Sequence, residues 1–333
     1  MVLPSKIGDL QQLETFDIGN KINSYEGTQL PSDIFNLGRL LHLAVPSAVI
    51  WPDGIGNMKS LRTLGQFELG NSLDSIKGLR ELTNLTNLEI SFNYSKSGDE
   101  AAARCREVLS ALENLCNLKH LHIDSHNKLV RSCLDVWRSV PPHLESFHAK
   151  YESWFSRVPK CIGQLHSLYD LHLAVREVLE DDVGMLSHLP SLIHLVLNIR
   201  RAPENKIIVS GGSGSFPVLK HFTIVCDRIS YLTFEAGAMP KLERLELCFN
   251  AKGCDRYGAA PAGIEHLPGL KEISVHIGGL GAKESNRRAA ESALRDMADM
   301  HPRDPVANIK VDDNRWIFDE PEEEDDGNTE QTK

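Results

Sequence analysis

Histidine is the chemically capable residue whose placement in this chain follows a pattern. His120 and His122 stand two apart, as residues on one face of a strand do. His42, His194 and His221 take the place of His120 in other segments, and His148 and His172 take the place of His122. With His276, which falls on the same face, this accounts for 8 of the 14 histidines. Neighbouring strands lie about 4.8 Å apart, so His122, His148 and His172 could stack into a short column. Such a column has three uses. It fills a half-exposed strand with amphipathic rings, it offers hydrogen bonds and titratable groups to a protein partner, or it ligates a metal. A flat ladder lacks the closed tetrahedron of a structural zinc site, which weighs against the third use.

No other constellation of chemistry stands out. The chain has no GxxxxGK[ST], GxSxG, HExxH or EF-hand loop, and no spacing of serines, histidines and acids singles out a triad. Ser210-Gly211-Gly212-Ser213-Gly214-Ser215 reads as a flexible loop, because no Lys-Ser or Lys-Thr follows to make it a phosphate cradle. The expectation is a protein that is not an enzyme and carries no cofactor or metal.

The elements that would position the histidines emerge when the leucines are aligned. A template L-x-x-L-x-L recurs as Leu13/Phe16/Ile18, Leu40/Leu43/Val45, Leu61/Leu64 with Phe67 and Leu69 displaced, Leu85/Leu88/Ile90 and Leu118/Leu121/Ile123. It continues as a weak copy at Leu144/Phe147/Ala149, then Leu168/Leu171/Leu173, Leu192/Leu195/Leu197, Leu219/Phe222/Ile224, Leu242/Leu245/Leu247 and Leu270/Ile273/Val275. The first leucines of successive units are 21 to 33 residues apart, in or near the range of leucine-rich repeats. The closing L-x-L has the period of a strand with one face buried. The upstream apolar residues, such as Ile7 and Leu10 or Ile162 and Leu165, come at three-residue steps that suit a 3₁₀ turn. Amphipathic helices would compete for the same leucines. They would not tolerate Pro in Leu3-Pro4, Leu30-Pro31, Trp51-Pro52 and Val158-Pro159, nor end each segment on a two-residue period.

The predicted fold is therefore an α/β leucine-rich-repeat solenoid, a horseshoe of about eleven repeats. It has a concave parallel sheet and irregular helices or loops on the convex side. Residues between the core leucines point away from the core and are free to meet a partner. The central stretch offers His120, His122, Asp124, His148, Lys150, Asp170, His172, His194 and Asn198 as candidate partner-binding residues.

Departures from the period mark further features. The longest unit holds a helix-forming run from Gly98 to Leu112 with Asp99 as a plausible N-cap. Trp137, Tyr151, Trp154 and Phe155 cluster around the weak copy, either filling space left by small residues or forming an exposed hot spot. The array is assigned residues 1–283, a capping helix (Glu284 to Met300) and last strand (Ile309-Lys310-Val311) residues 284–318, and an acidic disordered tail residues 319–333. The start lacks an equivalent cap. Leu3, Ile7, Leu10 and Leu13 would form an uncovered apolar edge, as expected for the C-terminal part of something longer or for a piece that needs a partner there.

Composition bounds the partners. The formal charge of −10 over 333 residues is mostly the seven acids of Asp319-Glu320 and Glu322 to Asp326, so the folded part is nearly balanced and no nucleic-acid partner is implied. There is no apolar run long enough to span a membrane, and the first residues, Met-Val-Leu-Pro-Ser-Lys, lack the apolar stretch expected of a signal peptide. The 7 cysteines form no CxxC pair and their number is odd, which suits a reducing compartment. The expected location is cytoplasmic, where the triplets Asn84-Leu85-Thr86 and Asn93-Tyr94-Ser95 are chance matches to a glycosylation signal.

Leu-Pro-x-x-Ile-Gly-x-Leu (Leu3 to Leu10) and Leu-Pro-x-x-Ile-x-x-Leu (Leu30 to Leu37) resemble the intracellular plant-type repeat. Gly54-Ile55-Gly56-Asn57-Met58-Lys59-Ser60-Leu61 and Ser75-Ile76-Lys77-Gly78-Leu79-Arg80-Glu81-Leu82-Thr83-Asn84-Leu85 do so too. Over about residues 1–318 the chain is similar to the repeat region of grass coiled-coil nucleotide-binding leucine-rich-repeat disease-resistance proteins. Ala289 to Leu294 and His301-Pro302 resemble the ends of those chains. The resemblance implies innate immune sensing, in which the repeats recognise a pathogen effector or a guarded host protein and restrain a nucleotide-binding domain. The coiled coil and the phosphate loop of that family are not in this sequence, so nucleotide binding is not carried over. The alternative is an intracellular leucine-rich-repeat signalling scaffold or a ubiquitin-ligase adaptor. Such proteins should show regular repeats of about 23 residues or an adaptor motif, and neither is seen.

Overall fold

A computed structural model describes residues 6–18, 28–46, 49–68, 70–92, 99–124, 137–149, 154–201, 206–212, 214–252, 254–278 and 281–312. Its strands are β1 (Thr15–Asp17), β2 (His42–Ala44), β3 (Thr63–Glu68), β4 (Asn87–Ser91), β5 (His120–Asp124), β6 (Ser146–Ala149), β7 (Trp154–Phe155) and β8 (Asp170–Val175). They continue as β9 (His194–Ile199), β10 (Ile207–Val209), β11 (His221–Cys226), β12 (Leu232–Phe234), β13 (Arg244–Asn250), β14 (Glu272–Gly278) and β15 (Val306–Asp312). One parallel sheet takes the strands in chain order, β1-β2-β3-β4-β5-β6-β8-β9-β11-β13-β14-β15, with β7 paired to β8. This is the leucine-rich-repeat solenoid. β10 and β12 make a separate parallel pair.

The register matches the leucine template. Leu88, Leu121, Phe147, Leu171, Leu195, Phe222, Leu245 and Ile273 oppose one another from strand to strand. None is more than 3% exposed. Each contributes roughly 1.5–3 kcal/mol of burial before entropy is subtracted.

The outer side of the coils is made of short turns. The 3₁₀ turns Ser32–Asn36 and Lys160–Gln164 follow Pro31 and Pro159, whose fixed φ starts the turn without needing an N–H. Leu37 N donates to Ile34 O at 3.1 Å, so the three-residue apolar step places Ile34 and Leu37 together in the core. The longest unit carries the helix Asp99–Leu112, with Asp99 as its first residue rather than its cap. Among the described residues no helix is long and apolar enough to cross a membrane.

Three irregularities depart from the template. In β3 the register to β4 shifts between Leu64 and Phe67, and Gln66 lies at φ 53°. The bulge turns Phe67, rather than the expected next residue, into the core at 0% exposure. Leu69 lies outside the described residues. The weak sixth unit is completed by two short strands, because β6 stops at Ala149 and β7 resumes the pairing against Ala174 and Val175. Trp137, Phe147 and Phe155 fill the gap edge to face, at 5.6 and 6.3 Å between centroids, and all three are buried. Of the aromatic cluster, Trp137 and Phe155 belong to the core. Tyr151 and the Trp154 side chain lie outside what is described.

The third irregularity concerns Gly211, in the segment read as a flexible loop. A Cβ there would fall 1.7 Å from Ala236 O, so this glycine allows two backbones to touch beside the β10–β12 pair. Gly211 N also donates to Glu235 Oε2 at 3.1 Å. Close approach, rather than flexibility alone, requires glycine at this position.

The ends differ. Ile7 is 2% exposed and Leu10 56%, so the expected apolar edge at the start is open only in part; Leu3 lies outside the described residues. At the other end the helix Glu284–Asp299 buries Ala290, Leu294 and Ala298, and β15 pairs with β14. Val306 and Val311 on β15 are 64% and 42% exposed. The acidic tail lies outside the described residues.

Candidate recognition face

Alternation along each strand leaves one face of the sheet to the residues between the core leucines. The register aligns Asn87, His120, Ser146, Asp170, His194, His221, Arg244 and Glu272 in one row. A second row runs Glu89, His122, His148, His172 and Val196. The expected histidine column therefore exists. His122 meets His148 edge to face at 5.8 Å, and His148 stacks on His172 at 4.0 Å with 24° between the planes. His194 and His221, one row over, lie at 4.4 Å. Burial, and then the neighbouring His194 and Arg244, hold the His221 imidazole below its ordinary pKa.

The centre of the face is a square made by β6 and β8. Ser146 opposes Asp170 and His148 opposes His172. The Asp170 carboxylate reaches across the diagonal, with His148 Nε2 2.7 Å from Oδ2. Ser146 Oγ lies 3.2 Å from the same His148 nitrogen and donates to Oδ2 at 3.4 Å. Along its own strand, Asp170 Oδ1 stands 3.2 Å from His172 Nε2, within ion-pair range though off hydrogen-bond alignment. Partial burial pushes the Asp170 carboxyl upward, but hydrogen bonding from His148 and the nearby His172 outweighs it. Its pKa is held well below the usual carboxylate range.

His120, His122, Asp124 and His194 are likewise half-buried on the open face. Asn198 is not available to a partner: it is 5% exposed, between Ala174 and Val225 in the register. Its register row is buried from Ala174 through Asn198 and Val225 to Cys248, so alternation along the strand does not by itself expose it. Lys150 lies outside the described residues. Toward the C-terminal end the histidines give way to ion pairs. Arg244 and Glu272 meet at 2.7 Å, and His276 and Glu246 at 3.6 Å. Thr223 donates to Glu246 at 3.1 Å. These pairs are solvated and contribute little stability, but they fix the charge pattern.

A family model described as leucine-rich repeat region matches residues 1–307. The chain belongs to this leucine-rich repeat family. It is 40% identical over 308 residues to the disease resistance protein RGA5 of Oryza sativa subsp. japonica. The match takes in 90% of this chain and 27% of that protein, so the chain spans about a quarter of the length of the curated relative. Among solved structures it is similar to an internalin from Listeria monocytogenes, at 14% identity and a TM-score of 0.41, over 91% of this chain and 88% of that one.

Within this leucine-rich repeat face, reasoning from single columns missed the link between columns. Asp170 was recognised as an exposed polar residue, but its role as the group that joins His148 to His172 was not. The signal was present, since Asp170 and His172 are two apart on one strand. Ser146 and the Glu246 contacts were missed for the same reason.

Proposed function

We propose that this chain is the recognition surface of a plant disease-resistance receptor, acting as a non-enzymatic scaffold in the cytoplasm. Its open sheet face meets protein partners: a pathogen effector, a guarded host protein or a nucleotide-binding domain. The observation that carries this reading is the division of labour along the inner strands of the sheet. One set of residues is sealed in a continuous core, and the other presents histidine, aspartate, arginine and glutamate on a rigid ladder. Likeness to a protein named for disease resistance supports the same reading. A signalling scaffold or ubiquitin-ligase adaptor has no comparable support.

The test replaces His122, His148 and His172 with alanine together with Asp170→Asn, which spares the protein an unpaired charge. Partners are first found by proximity labelling in leaf tissue. The expected result is loss of partner binding with an unchanged circular dichroism spectrum. Arg106→Glu, on the exposed side of the outer helix, should bind normally. If the sheet variant binds as the parent does and Arg106→Glu abolishes binding, the contact surface lies on the outer side.

A further inference from the structure

The β6–β8 square brings together donors of the kind that bind metals. One ligand atom from each of His148, Asp170 and His172 lies within 4.8 Å of the other two. We propose that these three residues form a binding site for a divalent first-row transition-metal ion, with Zn²⁺ as its probe and one coordination position open to solvent. A column of histidines alone supplies only parallel rings, which cannot surround an ion. The third ligand comes from the adjacent row, and it sits where the two Nε2 atoms converge.

The distances fit. Metal–nitrogen and metal–oxygen bonds of about 2.0–2.1 Å in a tetrahedron put neighbouring donors about 3.3 Å apart. Asp170 Oδ2 lies 2.7 Å from His148 Nε2 and Oδ1 lies 3.2 Å from His172 Nε2, so the carboxylate faces both nitrogens with one oxygen to each. An ion would take the place of the proton shared between His148 Nε2 and Asp170 Oδ2, with a small rotation of the His172 ring. The backbone needs no change, because β6 and β8 are already paired at these residues. Two neutral imidazoles and one carboxylate suit zinc and its neighbours rather than magnesium or calcium, which take oxygen ligands. Side-chain exposures of 30% for His148, 20% for Asp170 and 39% for His172 leave a path for the ion and room for a water or an incoming ligand. The site stands on this geometry alone and does not depend on the partner reading.

Cys116 is an exposed thiol, so the experiment uses the full chain carrying Cys116→Ser, which leaves no accessible thiolate there to compete. Zn²⁺ alone is titrated by calorimetry. One ion per chain is expected to bind, and Asp170→Asn, His148→Ala and His172→Ala should each weaken binding at least about tenfold. His42→Ala, on a distant strand, should not change it. In the unaltered site, added Zn²⁺ should also shift the imidazole NMR signals of His148 and His172 and leave those of His42 in place, a readout that does not depend on a variant folding. Absence of saturable binding overturns the proposal. So does binding that the three variants leave intact, or zinc-induced shifts confined to other histidines.

Discussion

Glu68 closes β3 on the open face, opposite Ser91 of β4. Burial pushes its carboxyl up to about 7. An ionisable acid whose folded pKa is raised binds its proton more tightly folded than unfolded. Its stabilising effect is complete below the unfolded value of about 4.3 and is lost as pH rises through about 7. At 1.36 kcal/mol per pKa unit the rise from about 4.3 to about 7 has a ceiling of about 3.7 kcal/mol, and solvent reaching this half-buried group reduces that to about 1–2 kcal/mol. Glu68→Gln keeps the shape and removes the ionisation. The variant should therefore be increasingly more stable than the parent as pH rises from 5 to 8, the gap widening by about 1–2 kcal/mol. Repeat arrays need not unfold as one unit, so the assay should read this part of the chain. Amide hydrogen exchange of β3 and β4 at both pH values does so, and other titrating groups cancel in the comparison. If parent and variant keep the same difference at pH 5 and pH 8, the Glu68 carboxyl is not destabilised by burial.

Three further outcomes follow from single sites. Gly263 lies at φ 78°, and a Cβ there would fall 1.9 Å from Phe234 O, so Gly263→Ala should lower stability by more than about 2 kcal/mol; an unchanged urea midpoint would show that the backbone relaxes. The buried Asp182 accepts from Arg157 Nε and Nη2, both at 3.1 Å, and from Leu179 N at 2.9 Å. Asp182→Ala should cost about 1–3 kcal/mol, while an effect near zero would mean the pair is solvent-balanced. Burial pushes the thiols of Cys226 and Cys248 up to about 12, so in native protein iodoacetamide should label the exposed Cys116 and spare both. Equal labelling by mass spectrometry would contradict the burial.

The core was legible because its signal is local and redundant. Leu171 and Leu173, or Leu195 and Leu197, announce a one-faced strand within six residues, and the same pattern returns in the next coil. What was not legible depends on backbone geometry that side-chain type does not encode. Gln66 carries no mark of a bulge, since glutamine is an ordinary strand-surface residue; only the displaced Phe67 hinted at it. Trp154-Phe155 is too short to read as a strand, and becomes one because Ala174 and Val175 extend past the end of β6. Gly211 read as flexible because a glycine-rich run looks the same whether it is loose or tightly apposed.

The open face follows a different logic. Its residues are not selected by burial, so their meaning lies in who stands beside whom across the ladder. Each such neighbour is one coil away, as Ser146 is from Asp170 and His148 from His172. Once the leucines fix the register, these rows can be written down from sequence, and the histidine column was. The contact that matters chemically is diagonal: Asp170 opposes Ser146, yet its carboxylate meets His148, two residues further along. Diagonal neighbours in a sheet are close enough for long or aromatic side chains to touch. Reading an open repeat face therefore requires each row to be compared with the next, and in this chain that comparison turns three scattered polar residues into one cluster.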